Sequence, residues 1–431
     1  MNRVRWYLAG LVTLGAVALV VAGTAGGAHK TKGVSGSISI IAKWTGDEQK
    51  SFEAVLAPFK KANPGVKIKY TGAGDNVPQI VSTAVQGGNP PDIATMPQPG
   101  LMKDFASRGA LKPITFARGA IARNYAPVWL QLGTVNGKLY GLFFKGANKS
   151  TIWYNVPSFK AAGVKPASTW PQLLQAARTI RGSGTPAYSI GGADGWTLTD
   201  LFENIYLRTA GGAKYDQLSS HKLKWTDGSV KTALKAMGQI LGDTGNIAGG
   251  TAGALQTDFP TSVSNVFAKK PKASMVLEGD FVPGVVASKN PLKPVSGYNQ
   301  FPFPSINGSK PAVMGGGDIV VMFKDSPAAR ALITYLATSQ AATIWASRGG
   351  FSSPNKNVKP GAYKDPINRA TAIALARASV FRFDMSDLQP AAFGSSTGQG
   401  EWKIFQDFLK NPKNVNGTAS ALERAAAKAY K

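Results

Sequence analysis

The sequence predicts an α/β protein whose first half builds a mainly parallel, doubly wound sheet, with a second unit beginning near residue 151. Three observations carry this. Strand-like and helix-like segments alternate from residue 37 to residue 107. The breaks between segments are short Pro/Gly turns rather than one linker, with 49 Gly and 27 Pro spread over 431 residues. An apolar content of 43% and an aromatic content of 10% suffice to fill large cores. Sheets of this kind receive ligands beyond the carboxyl ends of their strands. Here that region lies around Trp44, Met96 and Gln98.

Taken in order, residues 37–43 read as a buried strand. Residues 47–63 read as an amphipathic helix, because Phe52, Val55, Leu56 and Phe59 fall at i, i+3, i+4 and i+7. Asn63-Pro64-Gly65 stops it. Residues 66–70 alternate apolar and polar, as a half-buried strand does. A helix over 77–86, a strand ending before Met96 and a helix over 101–107 complete the first unit. In the second unit helices are expected over 170–181, 198–209, 230–241 and 263–268, then a strand over 273–277. Residues 315–323, Gly-Gly-Gly-Asp followed by apolar residues, read as a glycine-led strand. Helices over 327–337, 340–347, 367–378, 401–409 and 418–430 close the chain.

The amino terminus sets the compartment. Arg3 and Arg5 precede an apolar run over 8–21 and the small-residue segment 22–28. A positive region, a short apolar region and small residues are the parts of a secretory signal. The run is shorter than the roughly 20 residues of a membrane span, and an uncleaved anchor is the alternative. With no cysteine in the chain, lipid attachment through a thiol, disulfides and thiol catalysis are all excluded.

The formal charge of +26 suggests contact with something anionic. Yet Lys and Arg are scattered in ones and twos, and no nucleic-acid signature appears. A solvated basic surface suited to an anionic cell envelope is the reading adopted, and nucleic acid is not an expected partner. Catalysis is poorly supplied. The two histidines, His29 and His221, build no triad or metal site, so no metal and no cofactor are expected. Glu48, Asp200, Glu278 and Asp318 could serve a glycosidase, but none lies in a hydrolase signature. Gly315-Gly316-Gly317-Asp318 lacks the Lys-Ser/Thr of a phosphate loop and enters a strand, so a tight turn or close backbone approach explains it better. What the chain does carry is aromatic residues beside polar ones: Trp44 near Asp47 and Glu48, Trp196 before Asp200, Phe281 after Asp280, and Trp402 after Glu401. Such faces pack on sugar C–H groups while charges bond the hydroxyls. For any one of them, core packing is the competing role.

Several collinear segments extend this reading. Residues 44–48 (Trp-Thr-Gly-Asp-Glu) with the Phe-x-x-Val-Leu-x-x-Phe helix resemble the opening of extracellular solute-binding proteins of ABC importers. Residues 91–100, 137–145, 152–155, 169–174, 315–323, 352–357 and 380–388 resemble the alpha-glucoside-binding branch of that family. The resemblance implies a bilobal periplasmic-binding-protein-like fold of type II: two doubly wound α/β lobes joined by a hinge. Carried over by position, the division is a signal peptide over 1–28, a spacer over 29–35, a first lobe of 36–147 plus 310–326, and a second lobe of 148–309 plus 327–431. It also implies a non-enzymatic receptor that captures an alpha-glucoside or other oligosaccharide outside the cytoplasm and delivers it to a membrane permease; a monomer is expected.

The expected ligand contacts follow. Trp44, Trp196 and Phe281 would be stacking or packing walls. Glu48, Lys145, Asp200, Asp318 and Arg382 would bind hydroxyls, with Gln98 beside them and backbone groups of Gly316 and Gly317 in reach. For Arg382 and Asp384 an internal salt bridge bracing the second lobe is an equal alternative. The rival functions are a secreted glycoside hydrolase and a wall-associated polyanion-binding protein.

Overall fold

A computed structural model of the chain describes residues 33–289 and 291–431. The expected signal over 1–28 and the start of the spacer lie outside the described residues. β1 (Gly36–Ala42) buries Ile38, Ile40 and Ala42. The helix Gly46–Ala62 packs Phe52, Val55, Leu56 and Phe59 inward, and its Asp47/Glu48 start and Lys60/Lys61 end both match the helix dipole. β2 (Val66–Gly72) and β3 (Ile93–Met96) lie parallel to β1 on either side, so the alternating segments produce the doubly wound arrangement. A small hairpin follows, β4 (Thr134–Val135) and β5 (Lys138–Leu139), whose turn places Asn136 and Gly137 at φ of 48° and 77°.

The remaining strands are β6 (Gly141–Asn148), β7 (Thr151–Asn155), β8 (Met275–Leu277), β9 (Tyr298–Pro302), β10 (Val313–Met322) and β11 (Phe381–Phe383). β10 organises the large sheet. It runs antiparallel to β6, pairs in parallel with β11 near its start, and pairs antiparallel with β3 near its end. The resulting order is β11-β10-β3-β1-β2, with β6 also beside β10. β7 forms a second sheet with β8 and β9. Only Lys149 and Ser150 separate β6 from β7, so the chain passes directly from one sheet to the other.

Two details differ from the sequence reading within the α/β bilobal plan. The second sheet is antiparallel throughout, order β8-β7-β9, not doubly wound. β7 is apolar enough to be buried on both faces, so its pattern does not encode strand direction. The second difference concerns residue 327. One core holds β1, β3, β6 and β10 together with Ala328, Leu332, Ile333, Trp345 and Phe351. The helices Pro327–Leu336 and Ser339–Ala346 thus pack with the first lobe, against β1 and the helix Gly46–Ala62, and not with the second. A second core gathers the helices Trp170–Gly182, Trp196–Ser219, Gly228–Leu241, Gly400–Lys410 and Val415–Ala429, and a smaller third surrounds Trp153 and Phe267. The helix expected over 198–209 is followed directly by a second helical stretch that runs to Ser219, the two separated at Gly211, whose φ of 78° is not helical.

The helix Pro99–Ser107 meets the segment after Asp387 with almost no clearance: a β-carbon added at Gly100 would lie 2.0 Å from the Gln389 carbonyl oxygen. Gly100→Ala is expected to cost about 1–3 kcal/mol through this backbone clash. A lowered thermal midpoint, measured against wild type by calorimetry, is the check.

Candidate functional site

A cleft of about 600 Å³ opens between the first core and the other two. Its floor is formed by Lys145, Gly146 and Ala147 of β6, by Lys149 just beyond that strand, and by Gly317 and Asp318 in the middle of β10. One side is built by Lys43 at the end of β1, the first turn of the helix Gly46–Ala62, Gln98 and Trp345. The other is built by Trp196, Phe259, Phe281, Trp402 and the turn carrying Asp384, Ser386 and Asp387.

The crossing between the sheets is pinned by hydrogen bonds. The Lys149 N–H donates to the Met314 carbonyl at 3.0 Å, and the Met314 N–H donates to Ser150 Oγ at 2.8 Å. Asn204 Nδ2 donates to the Lys149 carbonyl at 2.9 Å. The Lys149 side chain then turns into the cleft, where its ammonium donates to Asp200 at 3.0 Å and to Asp384. Burial works against this charge, but Asp200, Asp384 and Asp387 outweigh it and hold Lys149 well above the usual lysine range. Burial would also raise Asp384; the Lys149 ammonium and hydrogen bonds from Asp387 and Ser386 overcome it and hold that carboxyl below its usual range. Asp200 and Asp387 move the other way, well upward, first through burial and then through neighbouring charges.

Two further lysines are paired. Lys145 donates to Glu48, and Lys43 to Asp75. Asp318 sits opposite Lys145 across the β10–β6 ladder and accepts a 2.6 Å hydrogen bond from Trp44 Nε1. On the second-lobe wall three rings meet: Trp196–Phe259 tilted at 5.3 Å, and Phe259–Phe281 at 5.2 Å and Trp196–Phe281 at 6.0 Å edge to face. The ammonium groups of Lys149 and Lys43 lie 5.5 and 6.0 Å from the Trp196 ring. The indole N–H groups of Trp196 and Trp402 are buried without a partner among the described residues, as is Gln98 Oε1. Among the described residues no group of three or more potential ligands could hold a metal ion. Flat aromatic faces, unpaired donors and paired charges suit the non-covalent capture of a molecule rich in hydroxyls.

Residues 43–343 match the family of bacterial extracellular solute-binding proteins. The chain belongs to that family. Relatives of this solute-binding protein include the osmoprotective compounds-binding protein GgtB of Synechocystis sp., 34% identical over 86% of this chain and 88% of the relative. The alpha-glucosides-binding periplasmic protein AglE of Rhizobium meliloti is 31% identical over 92% of this chain and 88% of its own. Among solved structures, the bacterial solute receptor AcbH superposes with a TM-score of 0.81 at 18% identity, covering 92% of this chain and all of that one. A chitin oligosaccharide binding protein reaches 0.77 at 20% identity, covering 92% and 99%. The family consists of extracytoplasmic binding components of ABC transporters, not enzymes. No helix among the described residues is long and apolar enough to cross a membrane.

Within this solute-binding protein, the expected site residues divide into three groups. Glu48, Gln98, Lys145, Trp196, Phe281, Gly317 and Asp318 stand on the cleft wall. Asp200 lies just behind it, 2% exposed and bound to Lys149. Three others are corrected. Trp44 is fully buried against Phe52 at 4.7 Å and Trp345 at 4.9 Å, so it is a core residue that orients Asp318. Gly316 is paired in the β10–β6 ladder and leaves room for Lys149, whose Cε would lie 2.9 Å from an added β-carbon. Arg382 is outside the cleft and pairs with Asp216 at 2.6 Å, while the partner of Asp384 is Lys149. Sequence reasoning passed over Lys43, Lys149, Phe259, Trp345 and Asp387. Phe259 and Trp345 sit in ordinary helical patterns, and a lysine in a basic chain carries no signal of its own.

Two outcomes follow from these charges. Lys149→Met removes one member of a buried cluster and leaves carboxylates uncompensated, a loss expected to reach about 3–5 kcal/mol in denaturant unfolding. Asp280, 1% exposed, is pushed up to about 6 by burial, against the opposing hydrogen bond from the Ser352 hydroxyl. Because the folded state holds this proton more tightly than the unfolded one, its contribution is full below about pH 4 and is lost as pH rises to about 6. The stability difference between wild type and Asp280→Asn, measured by unfolding from pH 4 to 7, is therefore expected to change across that window and level off above it.

Proposed function

We propose that this solute-binding protein captures an alpha-linked glucoside or a related oligosaccharide in the cleft and delivers it to the permease of an ABC importer. One observation carries the reading: the Trp196–Phe259–Phe281 surface faces paired lysines and carboxylates across a cleft of about 600 Å³. That is the combination a pyranose ring needs, with an apolar face on one side and hydroxyl partners on the other. The choice of an alpha-glucoside is supported by AglE, a relative named for binding alpha-glucosides. The relative GgtB is named for osmoprotective compounds, which specifies neither a sugar nor a linkage.

In this reading Trp196 and Phe281 stack against the sugar, and Glu48, Lys145, Asp318 and Gln98 bond its hydroxyls. Lys149 and Asp387 join them, and Asp200 acts through Lys149. Calorimetric titration with maltose, trehalose, sucrose and glucose tests the function. Binding of at least one disaccharide is expected, with Trp196→Ala weakening it by about 1–2 kcal/mol, roughly tenfold, while thermal stability stays near wild type. Failure of every sugar to bind rejects the proposal.

A further inference from the structure

The charge of the cleft runs opposite to that of the chain. Over the whole sequence Lys and Arg number 49 against 23 Asp and Glu. On the cleft wall five cations face seven carboxylates. This reversal is not a loose acidic patch, because each buried cation already has an anionic partner: Lys43 with Asp75, Lys145 with Glu48, and Lys149 with both Asp200 and Asp384. The remaining two, Lys289 and Arg348, are solvent-exposed, and Arg348 Nε donates to Ser51 Oγ at 3.1 Å. Among the carboxylates, Asp365 accepts from Tyr298 and caps the helix Pro366–Ala376, and Asp47 pairs with Lys50.

Asp387 differs from all of them. It lines the cleft and is 5% exposed, and no hydrogen bond from another described residue reaches its carboxylate. Its own N–H donates to Asp384 at 3.0 Å, which fixes the turn that presents it. Asp200 Oδ2, buried behind Lys149, is also without a partner, while the unpaired donors on this wall, the indole N–H groups of Trp196 and Trp402, carry no charge.

We infer that the cleft is built to select uncharged glycosides and to exclude sugar phosphates and sugar acids, with Asp387 as a residue that sets this exclusion. The inference rests on the sugar-receptor reading above and deepens it. A phosphate entering here meets lysines whose charges are already compensated, and adds its own charge to the carboxyl cluster of Asp384, Asp387 and Asp200 that already surrounds Lys149. Like charge brought together in a partly dehydrated site is strongly unfavourable. Selectivity of this kind comes from the repulsive element rather than from additional contacts to the preferred ligand. It also answers a problem the basic surface creates, since a field of that sign draws anions toward the protein.

The test is calorimetric titration of the full chain with two matched pairs: trehalose against trehalose 6-phosphate, and glucose against glucose 6-phosphate. Whichever neutral sugar binds is expected to do so at least about tenfold more tightly than its phosphate. Asp387→Asn is expected to narrow that ratio. Glu48→Gln, at a half-exposed position, leaves Lys145 with Asp318 opposite it across the ladder and is expected to narrow it too. A phosphate that binds as tightly as its parent sugar overturns the inference and leaves the receptor reading intact. So does a ratio unchanged in both variants. If no neutral sugar binds, and none in the wider disaccharide panel does, the receptor reading itself fails and takes the inference with it.

Discussion

The ion triad of Lys149 with Asp200 and Asp384 joins three separate parts of the chain. Lys149 belongs to the two-residue crossing between the sheets, Asp200 to the first turns of the helix Trp196–Ser219, and Asp384 to the turn after β11. An unpaired ammonium at this depth would be costly, and so would either carboxylate alone. The glycine run of β10 exists in the same context: a side chain at Gly316 would occupy the path of the lysine. Charge pairing, strand composition and the crossing of the chain are therefore one arrangement. The aromatic wall is set beside it because Trp196 begins the helix that carries Asp200.

Much of this was legible in the sequence where local periodicity decides structure. The spacing of Phe52, Val55, Leu56 and Phe59 fixed a helix observed at Gly46–Ala62, and the helix expected over 77–86 is found at Val77–Gln86. The bilobal fold followed from resemblance in collinear segments rather than from periodicity. Strand direction in the second lobe did not follow, since β7 is buried on both faces and pairs with segments more than a hundred residues away. The same limit explains the helices after residue 327. Their apolar stripes say that they are covered, but not by which core.

The candidate site was half legible. Trp196 and Phe281 lie at element ends beside charges, and that position signals exposure to a cleft. Trp44 shares the signal yet is buried, because Trp345 and Phe52, distant in sequence by very different intervals, close over it. Arg382 follows the same logic: its neighbour Asp384 in sequence points to Lys149, while its own guanidinium reaches Asp216 on another helix. Asp387 gave no warning, since its role depends on what fails to reach it.

Gly350 and Gly284 show a different kind of economy. A β-carbon built on Gly350 would come within 3.4 Å of the Gly284 α-carbon, so the loop after Ser339–Ala346 meets the helix Val282–Lys289 as bare backbone at the rim of the cleft. Where main chain alone touches main chain, separating the surfaces frees no rotamers and rejoining them freezes none. Contact at this point of the rim therefore orders no side chain on either surface.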